Sequence, residues 1–240
     1  IEKLRENIRG IRIAVPKELF SQDWGPDIDR HISNSITILE QLGAHIKEVV
    51  IRPMADEARL VYDIISSVEA SYNLARYDGI RYGHRTEDYE DIDELVINSR
   101  SEGFGKEIRK KIILGTYILS SNNCDGYYNK ALLMKERIEH EFQKIFETYD
   151  VLLNFCLPAD PLYNHGIAKD LLPYAGGFNI IGTPAISIPC GFNANGHPIG
   201  LDLMGNYLSE EGLLNIAYHL EQAFQVDKSI VILEEKNNGF

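Results

Sequence analysis

Residues 11–51 read IRIAVPKELFSQDWGPDIDRHISNSITILEQLGAHIKEVVI, and this stretch decides the class of the fold. IRIAV is a short, largely β-branched run closed by Pro16, the pattern of a buried strand. From Pro26 onward, Ile28, Ile32, Ile36, Leu39 and Leu42 recur three and four residues apart, which places them on one helical face. Gly43 stands where a left-handed C-cap belongs. HIKEVVI, residues 45–51, then reads as a second strand. Strand, helix and strand in that order are a βαβ-like signal.

Further along, residues 58–76 carry Ala, Leu, Val, Ile and Tyr in a helical mix that stops at the turn pair Asp78-Gly79. Residues 80–105 are polar and acidic and read as solvated loop with short helix. Ile108, Ile112, Ile113 and Tyr117 form one amphipathic face, and Tyr128, Ala131, Ile138, Phe142 and Ile145 form another that Lys135 interrupts. YDVLLNFCLP, residues 149–158, has the continuous apolar character of a strand buried on both faces. Residues 171–191, LLPYAGGFNIIGTPAISIPCG, are rich in Gly, Pro and small residues, and Asn195-Gly196 marks a hairpin. Ser209, Glu210 and Glu211 open a last helix whose apolar face is Leu213, Ile216, Ala217, Leu220 and Phe224. The chain therefore reads as one α/β domain over 1–240, with a frayed tail at 233–240.

The balance of 24 basic and 36 acidic residues leaves a net charge of −12, which argues against a surface that binds nucleic acid directly. No stretch approaches the length of a membrane helix and the first residues, IEKLRENIRG, have no apolar signal core, so a cytoplasmic protein with no membrane contact is expected, an organellar matrix being the other option. Cys124, Cys156 and Cys190 are odd in number and lie far apart, which fits a reducing compartment. Seven scattered histidines offer no i,i+4 pair for a metal, and Gly176-Gly177 lacks the spacing of a phosphate loop.

No serine sits on a Gly-flanked turn beside a base, as a nucleophile requires. Ser66-Ser67 and Ser120-Ser121 fall inside helical patterns, where a hydroxyl usually bonds back to the preceding turn. Asp160 and Asp170 flank a loop and read as solvated carboxylates. The Gly/Pro-rich segment is the best candidate site, because small residues let backbone approach a ligand.

YDIISSVEASYNLARYDGIRYG (62–83), SRSEGFGKEIRKKIILGTYILSS (99–121), YYNKALLMKERIEHEFQKIFETYDVLL (127–153) and GTPAISIPCGF (182–192) resemble, in order and spacing, the A subunits of glutamyl-tRNA(Gln) amidotransferases, a branch of the amidase signature family. IRGIRIAVPKELF (8–20) is similar to the strand that follows the signature region there. The resemblance implies an α/β fold that is part of the amidase-signature fold, a mixed β-sheet core covered by helices on both faces, with the N-terminal half of the fold missing. The family's catalytic Ser, cis-bonded Ser and Lys belong to that half, and its Gly/Ser-rich signature has no counterpart in residues 1–240. The resemblance thus implies a fragment that is inactive alone, without a catalytic residue of its own.

It also implies three substrate-binding residues. Tyr62 matches a tyrosine that lines the glutamine site. Lys111 stands where an arginine grips the substrate's α-carboxylate, and a lysine is a point charge rather than a two-pronged donor. Asp170 is the nearest aspartate to the one that binds the α-amino group, two residues further upstream than the family spacing. Partners implied are a B subunit, which binds tRNA and carries ATP and Mg, and a small C subunit; no cofactor is implied in this chain. A stand-alone amidase acting on another small amide is the second reading, suggested by Lys111 and the shifted Asp170. A non-catalytic scaffold that binds a partner is the third.

Overall fold

The computed structural model describes residues 4, 6–21, 25–120, 123–156, 179–193 and 196–226. In chain order the elements are β1 (Arg12–Pro16), α1 (Glu18–Ser21), α2 (Pro26–Gln41), β2 (His45–Val49), α3 (Arg52–Leu74), α4 (Ile92–Gly103), α5 (Lys106–Leu119), α6 (Cys124–Thr148), β3 (Val151–Cys156), β4 (Ala185–Phe192), β5 (Pro198–Gly205) and α7 (Glu210–Phe224). Where the sequence reading draws one domain, these group into two compact units. The first gathers described residues within Ile1–Val50, Ile145–Ala168 and Thr183–Phe240, and the second those within Ile51–Lys144 and Lys169–Gly182.

The first unit is built on a five-stranded mixed sheet in the order β2-β1-β3-β5-β4. β1 pairs in parallel with β2 and β3, while β5 runs antiparallel to β3 and β4. Strand–helix–strand therefore appears where residues 11–51 place it, with α2 packed on the sheet. Ile13, Ala14 and Val15 of β1 and Leu152 and Leu153 of β3 are fully buried, as a strand with neighbours on both edges and cover on both faces requires. α2 ends in a Schellman motif: Gly43 has φ 89, Ala44 N donates to Leu39 O at 3.0 Å, and Gly43 N donates to Glu40 O at 2.9 Å.

Two details of α2 and α7 differ from the sequence reading. The buried line on α2 runs Ile28, Ile32, Ser35 and Leu39, with Ile36 only half-buried. Ser35 is accommodated because its hydroxyl donates to His31 O at 2.7 Å. On α7, Ser209 holds the N-cap position but makes no capping bond; its hydroxyl donates instead to Asn206 O at 2.7 Å. The apolar face of α7 is the one read from the sequence, with Leu213, Ile216, Ala217 and Leu220 buried. The β4–β5 connection closes where the sequence places a hairpin, by Asn193 N to His197 O at 2.9 Å and with Gly196 at φ 79; Asn195 lies outside the described residues.

The second unit is helical. α3 and α5 pack closely, and Gly115 of α5 makes this possible: a Cβ there would lie 2.0 Å from Ser67 O of α3. This overturns the apolar face drawn on α5. Ile108, Ile113 and Tyr117 are exposed, while Gly115 and Ile118 are buried, because the small residue and not the large ones sets the line of approach. The helix ends at Leu119, so Ser120 is its C-cap rather than an interior serine; Ser121 lies outside the described residues.

Within the polar stretch 80–105, Ile92–Gly103 is a twelve-residue helix that Asp91 caps through Glu94 N at 2.9 Å. The preceding loop is held by side chains. Asp78 accepts from Ile80 N and Arg81 N, Thr86 donates to Glu102 at 2.9 Å, and Arg100 donates to the carbonyls of Leu74 and Tyr77 while stacking on Phe104.

Candidate functional site

Tyr62 and Lys111 are separated by 49 positions, and the α3–α5 packing brings them together. Lys111 Nζ lies 5.0 Å from the centroid of the Tyr62 ring, within cation–π range. The same Nζ donates to Ser66 Oγ at 3.1 Å. Ser66 follows Tyr62 by one helical turn, so both present to α5 from a single face. All three side chains are half-buried.

Lys111 differs from the adjacent Lys110 in its partners. Lys110 is tied to Glu107 at 2.7 Å, a pairing that holds the Glu107 carboxyl below its usual range. Lys111 makes no salt bridge among the described residues, its partners being a neutral hydroxyl and a ring face. A half-buried ammonium with no carboxylate partner is suited to receive an anionic group, because fewer waters compete for its N–H donors than on an open surface.

Sequence reasoning treats Ser66 as structural. Ser67 does behave that way, donating to Asp63 O at 2.6 Å, whereas Ser66 makes its hydrogen bond with Lys111. The i,i+4 spacing from Tyr62 is the signal that could have found it. Asp170, the third residue named from the sequence, lies outside the described residues, as do Asp160, Gly176 and Gly177.

Other clusters carry less chemistry. His84 Nε2 lies 2.6 Å from Glu102 Oε2, and together with Thr86 it holds that carboxyl below the usual range, but both side chains serve to pin the 78–91 loop to α4. A recess of about 290 Å³ in the first unit is lined by Ile11, Phe146, Asp150, Ser209 and Leu213, and its carboxylate is occupied by Arg12. Among the described residues no three His, Cys, Asp or Glu side chains gather as a metal would require, and no helix is long and apolar enough to cross a membrane.

A family model described as amidase matches residues 1–214. The chain belongs to the amidase family. Among curated amidase relatives, the glutamyl-tRNA(Gln) amidotransferase A subunit of Alkaliphilus metalliredigens (strain QYMF) is 45% identical over 236 residues, an alignment covering 96% of this chain and 48% of that protein. Its namesake in Clostridium botulinum (strain Alaska E43 / Type E3) is 44% identical over 227 residues, covering 92% and 46%. The chain thus spans about half the length of the curated relatives it matches.

Among solved structures, the glutamyl-tRNA(Gln) amidotransferase A subunit from Thermotoga maritima superposes with a TM-score of 0.54 at 26% identity, covering 92% of this chain and 44% of that one. A crystal structure of an amidase gives a TM-score of 0.66 at 21% identity, covering 91% and 47%, which shows a shared fold. The mixed sheet with its helices is therefore part of the amidase fold, as the resemblance implies.

Proposed function

We propose that the protein containing this chain hydrolyses glutamine as the A subunit of an amidotransferase, and that the ammonia released amidates Glu-tRNA(Gln) to Gln-tRNA(Gln). This chain contributes a wall of the amide pocket through Tyr62 and Lys111, with Asp170 as the partner of the substrate's α-amino group. The observation that carries the reading is the ammonium of Lys111, without a carboxylate partner and fixed 5.0 Å from the Tyr62 ring on the face where the resemblance puts the substrate's carboxylate.

In the intact protein a serine attacks the amide carbon, the C–N bond breaks as ammonia leaves with a proton, and water then releases glutamate from the acyl-enzyme. The serine pair and the lysine that perform this belong to the family's signature segment, which residues 1–240 lack, so the chain alone releases no ammonia. tRNA, ATP and Mg are handled by a B subunit, with a small C subunit completing the assembly in the cytoplasm. The net charge of −12 supports that division, since a strongly acidic chain repels a polyanion.

A stand-alone amidase for another small amide is the second reading, favoured by Lys111 itself, because one ammonium does not reproduce the fork of an arginine. The test is ammonia release from glutamine by the full-length protein assembled with B and C subunits, compared with its Lys111→Arg variant. The proposed reading expects ammonia release from glutamine by the wild type and by the variant. If neither releases ammonia from glutamine, the amidotransferase reading falls.

A further inference from the structure

The hydroxyl of Ser66 departs from the commonest bonding of a helix serine, as does that of Ser99, which accepts from Thr86 N. Ser33, Ser35, Thr37, Ser67 and Thr116 all donate to the carbonyl four residues earlier, satisfying their own proton. Ser66 makes its hydrogen bond with Lys111 Nζ, and an ammonium has only protons to give, so the serine oxygen is the acceptor and its own proton stays available. Lys111 has likewise committed only part of its donor set. One N–H goes to Ser66 and the Tyr62 ring face attracts the charge, which leaves further N–H donors without a partner among the described residues.

Two donors therefore stand 3.1 Å apart, one charged and one neutral, on two helices that Gly115 locks together. That separation suits the two oxygens of one carboxylate, each taking one hydrogen bond. An arginine supplies the same two-point contact from a single side chain, and here two side chains divide it. We propose that Ser66 and Lys111 together form a carboxylate clamp, in which Ser66 Oγ–H binds one oxygen and Lys111 Nζ–H the other, so that the protein selects amides carrying a carboxylate. Ser66 is thereby a substrate-binding and specificity-determining residue. This rests on the pocket proposed above, but it is a statement about the carboxylate alone, independent of the amino group and of Asp170.

The experiment uses the full-length protein with its B and C subunits and three substrates: glutamine; glutaramate, which keeps glutamine's carboxylate and amide but has no amino group; and butyramide, which has neither charged group. Each is assayed with the wild type, Ser66→Ala, Lys111→Arg and the double variant. A hydrogen bond to a charged group corresponds to about a tenfold change in binding, so Ser66→Ala should lower the ratio of kcat/KM for glutaramate over butyramide by about tenfold, through KM. In the Lys111→Arg background the guanidinium supplies both donors, and the same substitution should cost less than about twofold.

The clamp is overturned if Ser66→Ala leaves that ratio unchanged, if its effect is equally large in the Lys111→Arg background, or if the wild type does not prefer glutaramate to butyramide. Should glutaramate show the clamp's signature while glutamine is not hydrolysed, the clamp stands and the glutamine reading fails. Should glutamine be hydrolysed with a ratio indifferent to Ser66, the glutamine reading stands and the clamp fails. Hydrolysis of none of the three refutes both.

Discussion

Gly115→Ala sets two opposing effects against each other, and the structure says which wins. In a solvent-exposed helix the change would stabilise, since Ala exceeds Gly in helix propensity by about 1 kcal/mol. At Gly115, however, the added Cβ would lie 2.0 Å from Ser67 O, 2.6 Å from Ser67 C and 2.8 Å from Ser71 Oγ. The nearest approach falls 1.4 Å short of the 3.4 Å at which ordinary contact begins, and the obstacle is helix backbone, which no rotamer change can move aside. Overpacking of this kind costs about 1–3 kcal/mol and should reach the upper part of that range here. The net effect is a destabilisation of about 1–2 kcal/mol, or a fall in Tm of about 2–8 °C for a protein of this size. Because Lys111 precedes Gly115 by one turn and Ser66 adjoins Ser67, separating the helices also breaks the 3.1 Å Lys111–Ser66 contact. Thermal melts followed by circular dichroism provide the readout, with Gly126→Ala as the control, since a Cβ at Gly126 meets nothing within 4 Å. If Gly115→Ala raised Tm as the control does, α3 and α5 could not approach as described, and the arrangement of Tyr62, Ser66 and Lys111 would fall with them.

Two further outcomes concern the first unit. Asp150 accepts from Arg12 Nη2 at 2.7 Å, Arg12 Nε at 3.2 Å and Arg12 N at 2.8 Å, and the guanidinium foremost holds its carboxyl below the usual carboxylate range. A carboxyl depressed in the folded chain contributes its stability above the unfolded value of about 4 and loses it as pH falls through the folded value, so the penalty of Asp150→Asn should shrink between pH 7 and pH 3. Urea midpoints across that range check it, and an equal penalty at both ends would contradict it; the pair is half-exposed, so the effect should also weaken with salt. Burial pushes the Cys190 thiol up to about 11. At pH 8 the folded protein should therefore react with a thiolate-seeking reagent equally well with or without Cys190→Ala, and loss of one equivalent in the variant would refute the buried placement.

The sheet was legible because its signals are local. IRIAV, the three-and-four spacing of α2, Gly43 and Gly196 each declare themselves within a few residues, and the structure joins them as the patterns imply. The helical unit was not legible in the same way, because its decisive residue has no side chain. Hydrophobic periodicity on α5 counts Ile108, Ile113 and Tyr117, yet a helix that approaches through a glycine turns its large residues aside, and periodicity cannot tell which side a neighbour will take. Tyr62 and Lys111 reached notice through resemblance rather than through pattern. Ser66 escaped because a helix serine is ordinarily satisfied by its own backbone, and only the cation across the helix pair makes it an acceptor. The same logic explains the polar stretch 80–105, which composition presents as solvated. Its order comes from Arg100, Thr86 and Glu102 closing on carbonyls and side chains up to 26 positions away, contacts that have no period to detect. What sequence pattern reports is burial; what makes a site is the pairing of polar groups across elements, and in this chain that pairing is set by how closely Gly115 lets two helices meet.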